Sequence, residues 1–372
     1  MTGSRVKAVM FIFLNIMRLL SMSHGALHLL QSTLFENCKF DKIFQLGDSY
    51  SDTGNLLIEN PLDISGRLPY GITYNKSTGR HSDGLLMIDY IASAANLPLL
   101  NPYENRSANF TNGINFAVMG ATTIPVQTLA MKNIFGASTN NSLDVQVRWM
   151  SRSLSNYYNS QADCRDKLKN SLFFMGGIGA NDFLFAFSGG KTIQEVKNFL
   201  VPEIVQTIMN ATREIIKLGA RKIVIPGNIP LGCLPAYLTD FPANSSFDQN
   251  HCLKEYNEFS VYYNLQLRIG IVKLQLENPS VTIVYGNLYL AFERLFSRAG
   301  FDPNSLLKAC CGSGGKYNFG LGTFCGSPGV AACTNPNEYI SWDGLHLTQQ
   351  AYMYMAHYLI ATLPSLLRCS PT

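Results

Sequence analysis

Ser49 lies in the string Gly47-Asp48-Ser49-Tyr50-Ser51-Asp52-Thr53-Gly54-Asn55, directly after the apolar run Lys42 to Leu46. A serine lifted into solvent at a strand-to-helix turn is a potential nucleophile, and its own N–H can face a forming oxyanion. Gly-Asp-Ser alone reads equally well as a turn with a helix cap. The longer string, with two Gly, two Asp and two Ser so close to the N-terminus, exceeds what a turn requires. A serine nucleophile also needs a base, and the base needs an acceptor that fixes its tautomer. Asp343-Gly344-Leu345-His346, just ahead of the last helical segment, offers both on one turn. The carboxylate can reach Nδ1 and leave Nε2 for the hydroxyl. The remaining histidines serve less well: His24 and His28 lie near the N-terminus, His357 is inside the last helix, and His81 and His251 lack an acid at comparable spacing. Gly179-Ala180-Asn181-Asp182 follows the run Ser171 to Met175, so Asn181 on a strand-end loop can aim a side-chain N–H at an oxyanion. Gly120, after Asn115 to Val118, can bring its amide close to a substrate oxygen.

Those residues together point to acyl transfer without a cofactor. G-x-S-x-G does not occur, which excludes the usual nucleophile elbow of α/β-hydrolases. Gly177-Ile178-Gly179-Ala180-Asn181-Asp182 has Asp where a dinucleotide fingerprint needs its third Gly, and there is no Walker A string. No C-x-x-C or H-E-x-x-H occurs, so no metal is expected.

The elements that must position these groups alternate along the chain. Lys42–Leu46, Asn115–Val118, Ser171–Met175, Lys222–Ile225 and Val281–Tyr285 are continuous apolar runs, each followed closely by a turn. Such runs read as parallel strands covered on both faces. Helical periods lie between them: Leu85 to Ala95, Ile193 to Leu218 with a break near Pro202 and Gly219 as its cap, Tyr256 to Leu276, and Thr348 to Leu363. The alternation predicts an α/β fold with a mainly parallel sheet. Cys310 to Thr334 reads as a disulfide-tied surface loop, within which Cys325 and Cys333 could close a short ring.

Arg5 and Lys7, the apolar run Ala8 to Met17 and the small residues Ser21, Ser23, Gly25 and Ala26 form the pattern of a secretory signal peptide. This predicts a signal over residues 1–26 and one domain over 27–372, with no stable membrane insertion. Six N-glycosylation sequons, at Asn75, Asn105, Asn109, Asn140, Asn210 and Asn244, and nine cysteines fit an oxidising compartment. The odd cysteine count leaves at least one thiol outside intrachain pairing. Beyond the first 25 residues there are 26 basic and 25 acidic side chains, and no basic run, which excludes nucleic acid as a partner.

The blocks, in this order, resemble the plant GDSL esterase/lipase family of the SGNH hydrolase superfamily over nearly the whole mature chain. The resemblance rests on IFQLGDSYSDTGN (43–55), PYG (69–71), TGRHSDGLLMIDYIA (78–92), LPLLNPY (97–103), GINFAVMGAT (113–122), GAND (179–182), PGNIPLGC (226–233), CCGSGGKYNF (310–319) and ISWDGLHLT (340–348). It implies a three-layer α/β/α sandwich, Ser49 as nucleophile, His346 as base and Asp343 as its orienting acid. It further implies an oxyanion hole from Ser49, Gly120 and Asn181, no cofactor, and a glycosylated monomer delivered outside the cell or to the vacuole. The expected reaction is hydrolysis of the carboxylic ester, above all the acetyl ester, of a small plant metabolite such as an alkaloid. Alternatives are acyl transfer to an alcohol on the same site, sinapoyl or lipid esters as substrates, and a catalytically silent binding glycoprotein. Tyr50 either packs under the first helix or faces an aromatic substrate. Gly177 stands where many relatives have Glu, and His81 replaces a common Cys, a change that bears on disulfide pairing.

Overall fold

Five apolar runs form one sheet in the computed structural model, which describes residues 35–157, 161–241, 246–320 and 322–369. The expected signal segment and the sequon at Asn244 lie outside the described residues. The strands are β1 (Lys42–Leu46), β2 (Gly113–Asn115), β3 (Ser171–Met175), β4 (Lys222–Pro226) and β5 (Thr282–Gly286), all parallel, in the order β2-β1-β3-β4-β5. β1 lies between β2 and β3, aligned Leu46 to Met175 on one side and Phe44 to Ile114 on the other. Both faces of these strands are buried, which is why their sequences are continuous apolar runs rather than alternating ones. The chain leaves β1 for β2 on one side and then crosses to β3 on the other. The crevice beyond the carboxyl ends of β1 and β3 is therefore a topological switch point, where ligands of open parallel sheets bind.

Two groups of helices cover the sheet. α2 (Met87–Ala94), α8 (Leu288–Glu293) and α9 (Gln349–Leu366) pack together, as do α3 (Leu143–Tyr157), α5 (Val201–Leu218) and α7 (Lys254–Glu277). α9 begins on its Thr348 cap, whose hydroxyl accepts the Ala351 N–H, and α5 ends at Gly219. The break expected near Pro202 is a π turn over Val196–Leu200, with Pro202 in the first turn of the resumed helix. Shorter helices matter for the site: α1 (Asn55–Glu59), α4 (Ala180–Ser188) and α6 (Pro235–Asp240). Among the described residues, no helix is long and apolar enough to cross a membrane.

Three expectations need correction. The second strand is Gly113–Asn115, not Asn115–Val118. The Asn115 side chain accepts the N–H of Ala117 at 2.9 Å and donates to the Ser51 carbonyl at 2.6 Å, ending the regular pairing there, although Val118 N–H still donates to the Gly47 carbonyl at 3.2 Å. Asn181 is not on a loop but in the first turn of α4, whose Phe183, Ala186 and Phe187 bury one helical face. Cys325 does not pair with Cys333; the bonds are Cys310–Cys333 and Cys311–Cys325. Cys333 N–H donates to the Cys310 carbonyl at 2.7 Å beside the Cys311–Gly312 and Ala331–Ala332 pairing, placing Cys333 against Cys310. Neighbouring residues of an extended segment face opposite ways, so Cys311 takes its partner elsewhere. Cys38–Cys369 and Cys233–Cys252 complete the set, and Cys164 is the unpaired, buried thiol.

Candidate active site

Ser49 follows β1 on a turn that the rest of the molecule grips closely. The Gln146 side chain, from α3, accepts the Gly47 N–H and donates to the Gly47 carbonyl, both at 2.9 Å. Asp48 N–H donates to the Gly177 carbonyl at 3.2 Å, joining this turn to the one after β3. The Asp48 carboxyl accepts the Tyr50 N–H at 3.1 Å, yet burial outweighs that bond and pushes its pKa up to about 7. Tyr50 lines the cavity beside Ser49. Its hydroxyl donates to the Leu345 carbonyl at 2.7 Å and its ring meets His346 and Tyr352 edge-on, tying the Ser49 turn to the histidine loop.

That loop is organised around one carboxylate. Asp343 Oδ1 accepts the backbone N–H groups of Leu345 and His346 at 3.0 and 2.8 Å. Its Oδ2 lies 2.7 Å from His346 Nδ1 and accepts the Tyr70 hydroxyl at 2.8 Å. Burial by itself would raise the Asp343 pKa, but His346 and the backbone donors hold it well below the ordinary carboxylate range. With Nδ1 engaged, the imidazole has Nε2 left for another group. Gly344 permits the tight turn: its φ is 100°, and a Cβ there would run into the Phe319 ring.

The Gly120 segment is held from two sides. Asp52 accepts the N–H of Met119 at 2.8 Å while also accepting those of Gly54, Asn55 and Leu56 at the start of α1. Asp182 accepts the N–H groups of Thr123 and Ile124 at 2.8 and 3.0 Å. Asn181 Nδ2 donates to the Ala121 carbonyl at 2.9 Å, which fixes the amide and leaves its second hydrogen for a ligand. Gly120 itself has φ 75°, and a Cβ there would come 2.9 Å from Ser138. Among the described residues, the N–H groups of Ser49 and Gly120 have no hydrogen-bond partner.

Ser49, Gly120, Asn181 and His346 line one cavity of about 300 Å³, while Asp343 sits behind His346. The cavity walls are mostly apolar, with Leu184, Phe185, Ile229, Leu231 and Leu288 among them. Gly177 is in the wall, and a Cβ on it would meet nothing within 4 Å.

The sequence reading did not single out Gln146, Asp52, Asp182 or Tyr70 as supports of the site. Asp52 and Asp182 lie inside quoted blocks and Tyr70 in Pro-Tyr-Gly, so their positions were visible although their tasks were not. Gln146 carries no local signal, being 99 residues from its partner. His81 lacks an acid at the spacing of Asp343 and His346, but folding brings the distant Asp63 Oδ1 to 3.4 Å from its Nε2, and its ring centroid lies 5.0 Å from that of His346.

Residues 43–359 match the family model described as GDSL-like Lipase/Acylhydrolase. Acetylajmalan esterase 1 of Rauvolfia serpentina is 43% identical over 340 residues, covering 90% of this chain and 89% of that protein. Acetylajmalan esterase 2 of the same plant is 44% identical, with 90% and 93% covered. A GDSL esterase/lipase of Arabidopsis thaliana is 42% identical, with 86% and 82% covered. A match spanning most of the chain, on a five-stranded parallel sheet flanked by helices, places this carboxylic ester hydrolase in the GDSL-like lipase/acylhydrolase family.

Proposed function

We propose that this enzyme hydrolyses the acetyl ester of a small plant metabolite, an alkaloid-type alcohol, through an acyl-Ser49 intermediate. The observation that carries the reading is the gathering of Ser49, Gly120, Asn181 and His346 on one cavity, with His346 Nδ1 held by Asp343. His346 Nε2 takes the Ser49 proton as Oγ bonds to the ester carbonyl carbon. The oxyanion is held by the N–H groups of Ser49 and Gly120 and by Asn181 Nδ2. Collapse breaks the bond to the alcohol oxygen, which leaves with the proton from His346. Water, deprotonated by the same imidazole, then releases acetate and restores Ser49. The names of the Rauvolfia relatives support the acetyl and alkaloid parts of this reading. A cavity of about 300 Å³, room for roughly ten waters, also suits a compact alcohol better than a long acyl chain.

The enzyme acts as a monomer without a cofactor, carried by its N-terminal leader into the secretory pathway and then outside the cell or to the vacuole. N-glycans are attached at some of the sequons Asn75, Asn105, Asn109, Asn140, Asn210 and Asn244. Four disulfides support the oxidising route. Replacing Ser49 with Ala should abolish release of p-nitrophenol from p-nitrophenyl acetate while the melting temperature is retained; undiminished turnover would overturn the assignment. Product analysis with an added alcohol separates hydrolysis from acyl transfer, which would share every step up to the acyl-enzyme.

A further inference from the structure

The rim of the Ser49 cavity carries an apolar side chain that the fold leaves uncovered. Phe324 lines that cavity and is 51% exposed, whereas Leu231, Leu234 and Leu288 in the same wall are buried. A residue that both lines a cavity and meets solvent stands at its mouth. A phenyl group left half in water beside an apolar cavity gains free energy when another apolar group covers it.

The disulfide-tied loop holds Phe324 against the loop that carries His346. Cys325, the next residue, is buried and bonded to Cys311. Cys311 N–H donates to the Trp342 carbonyl at 2.7 Å and Cys310 N–H to the Ser341 carbonyl at 3.0 Å, joining this loop to the two residues that precede Asp343. Cys311, Cys325 and Trp342 share a buried cluster with Tyr70, whose hydroxyl donates to Asp343. On the same loop, the Phe319 ring fills the space that a Cβ on Gly344 would need. The Phe324 carbonyl accepts the Ser327 N–H at 2.9 Å, so its backbone is fixed on the far side as well. A side chain carried on a tethered backbone loses less freedom when a ligand covers it.

We propose that Phe324 is a specificity-determining residue that packs against an aromatic ring in the alcohol part of the substrate, at the mouth of the cavity. This rests on the acetyl-ester reading: the acyl group held at Ser49 has only two carbons, so the alcohol is the part that extends to the rim. The favoured substrates are acetates of alcohols that carry a planar aromatic ring at the span from Ser49 to Phe324. Two aromatic rings attract each other beyond the area they bury, so a saturated ring of similar size is bound less well.

The test compares benzyl, 2-phenylethyl and 3-phenylpropyl acetate, each with its cyclohexyl counterpart of the same spacer length. The wild-type enzyme should favour the phenyl ester at one or more of the three lengths, by roughly three- to tenfold in kcat/KM. That preference should shrink toward unity in Phe324→Leu and be kept in Phe324→Trp. Both variants should melt at the wild-type temperature, because the residue is half exposed, and comparing phenyl-to-cyclohexyl ratios between enzymes cancels any intrinsic difference in ester reactivity. A preference that persists unchanged in Phe324→Leu, or a wild type that treats each phenyl and cyclohexyl pair alike, overturns the proposal while leaving ester hydrolysis intact. A wild type that cleaves none of the six acetates overturns the acetyl-ester reading itself.

Discussion

In the proposed mechanism His346 acts in the tautomer that Asp343 imposes, and four donors hold that carboxylate in place. Asp343→Asn should therefore lower kcat by roughly four orders of magnitude with little effect on folding, since the wrong tautomer would leave Nε2 protonated. Steady-state kinetics on p-nitrophenyl acetate checks this; a loss of less than tenfold would show that the imidazole does not depend on that acid. Asn181→Ala should lose roughly two to three orders of magnitude in kcat with less change in KM, because an oxyanion donor acts mainly in the transition state. At this scale the sequence was informative. Ser49, Asn181, Asp343 and His346 each stand in a short block whose spacing expresses a local chemical requirement. The bond from Tyr50 to the Leu345 carbonyl was not legible, because the two residues are 295 apart.

Elements bring those blocks together through a few buried carboxylates and amides. Asp52 is the clearest case, joining the Ser49 turn, the start of α1 and the Gly120 segment through four backbone N–H groups. Asp52→Ala would leave those donors without their acceptor at roughly 1–3 kcal/mol each. The variant should be poorly folded, whereas Asp52→Asn, which keeps one acceptor oxygen, should retain more structure; thermal melts of the two should separate clearly. The strands and long helices were readable because burial on both faces, or on one helical stripe, writes itself into local periodicity. Asn115 shows where that fails, since its side chain bonds to the local backbone and ends the regular strand inside an apolar run that continues to Val118. α4 was missed for a related reason: Gly-Ala-Asn-Asp looks like a turn, and only the apolar spacing after it shows that the turn opens a helix.

Across the whole molecule, pH acts on stability through carboxyls pushed in opposite directions. Burial raises Asp48 and Asp182 from 3.8 to about 7, so both bind a proton more tightly folded than unfolded. Their contribution is complete below pH 3.8 and is lost as pH rises through about 7. Asp343, held low, contributes above the ordinary carboxylate range and loses that contribution as pH falls below it. Between pH 4 and 7 the urea midpoint should fall with a slope that Asp48→Asn reduces; an unchanged slope would contradict the role of Asp48. Cys38–Cys369 closes the chain over 331 residues. Replacing both cysteines with Ser should cost about 2–5 kcal/mol, read as a lower melting temperature. The number of cysteines pointed to an oxidising compartment, but their pairing depends on which way an extended segment turns Cys310 and Cys311, and spacing cannot show that. The proposed mechanism requires Ser49 to carry the acyl group. Rapid acid quench during turnover of p-nitrophenyl acetate, followed by peptide mass spectrometry, should find acetyl on the peptide containing Ser49. An unmodified Ser49 beside an acetylated residue elsewhere in the cavity would contradict it.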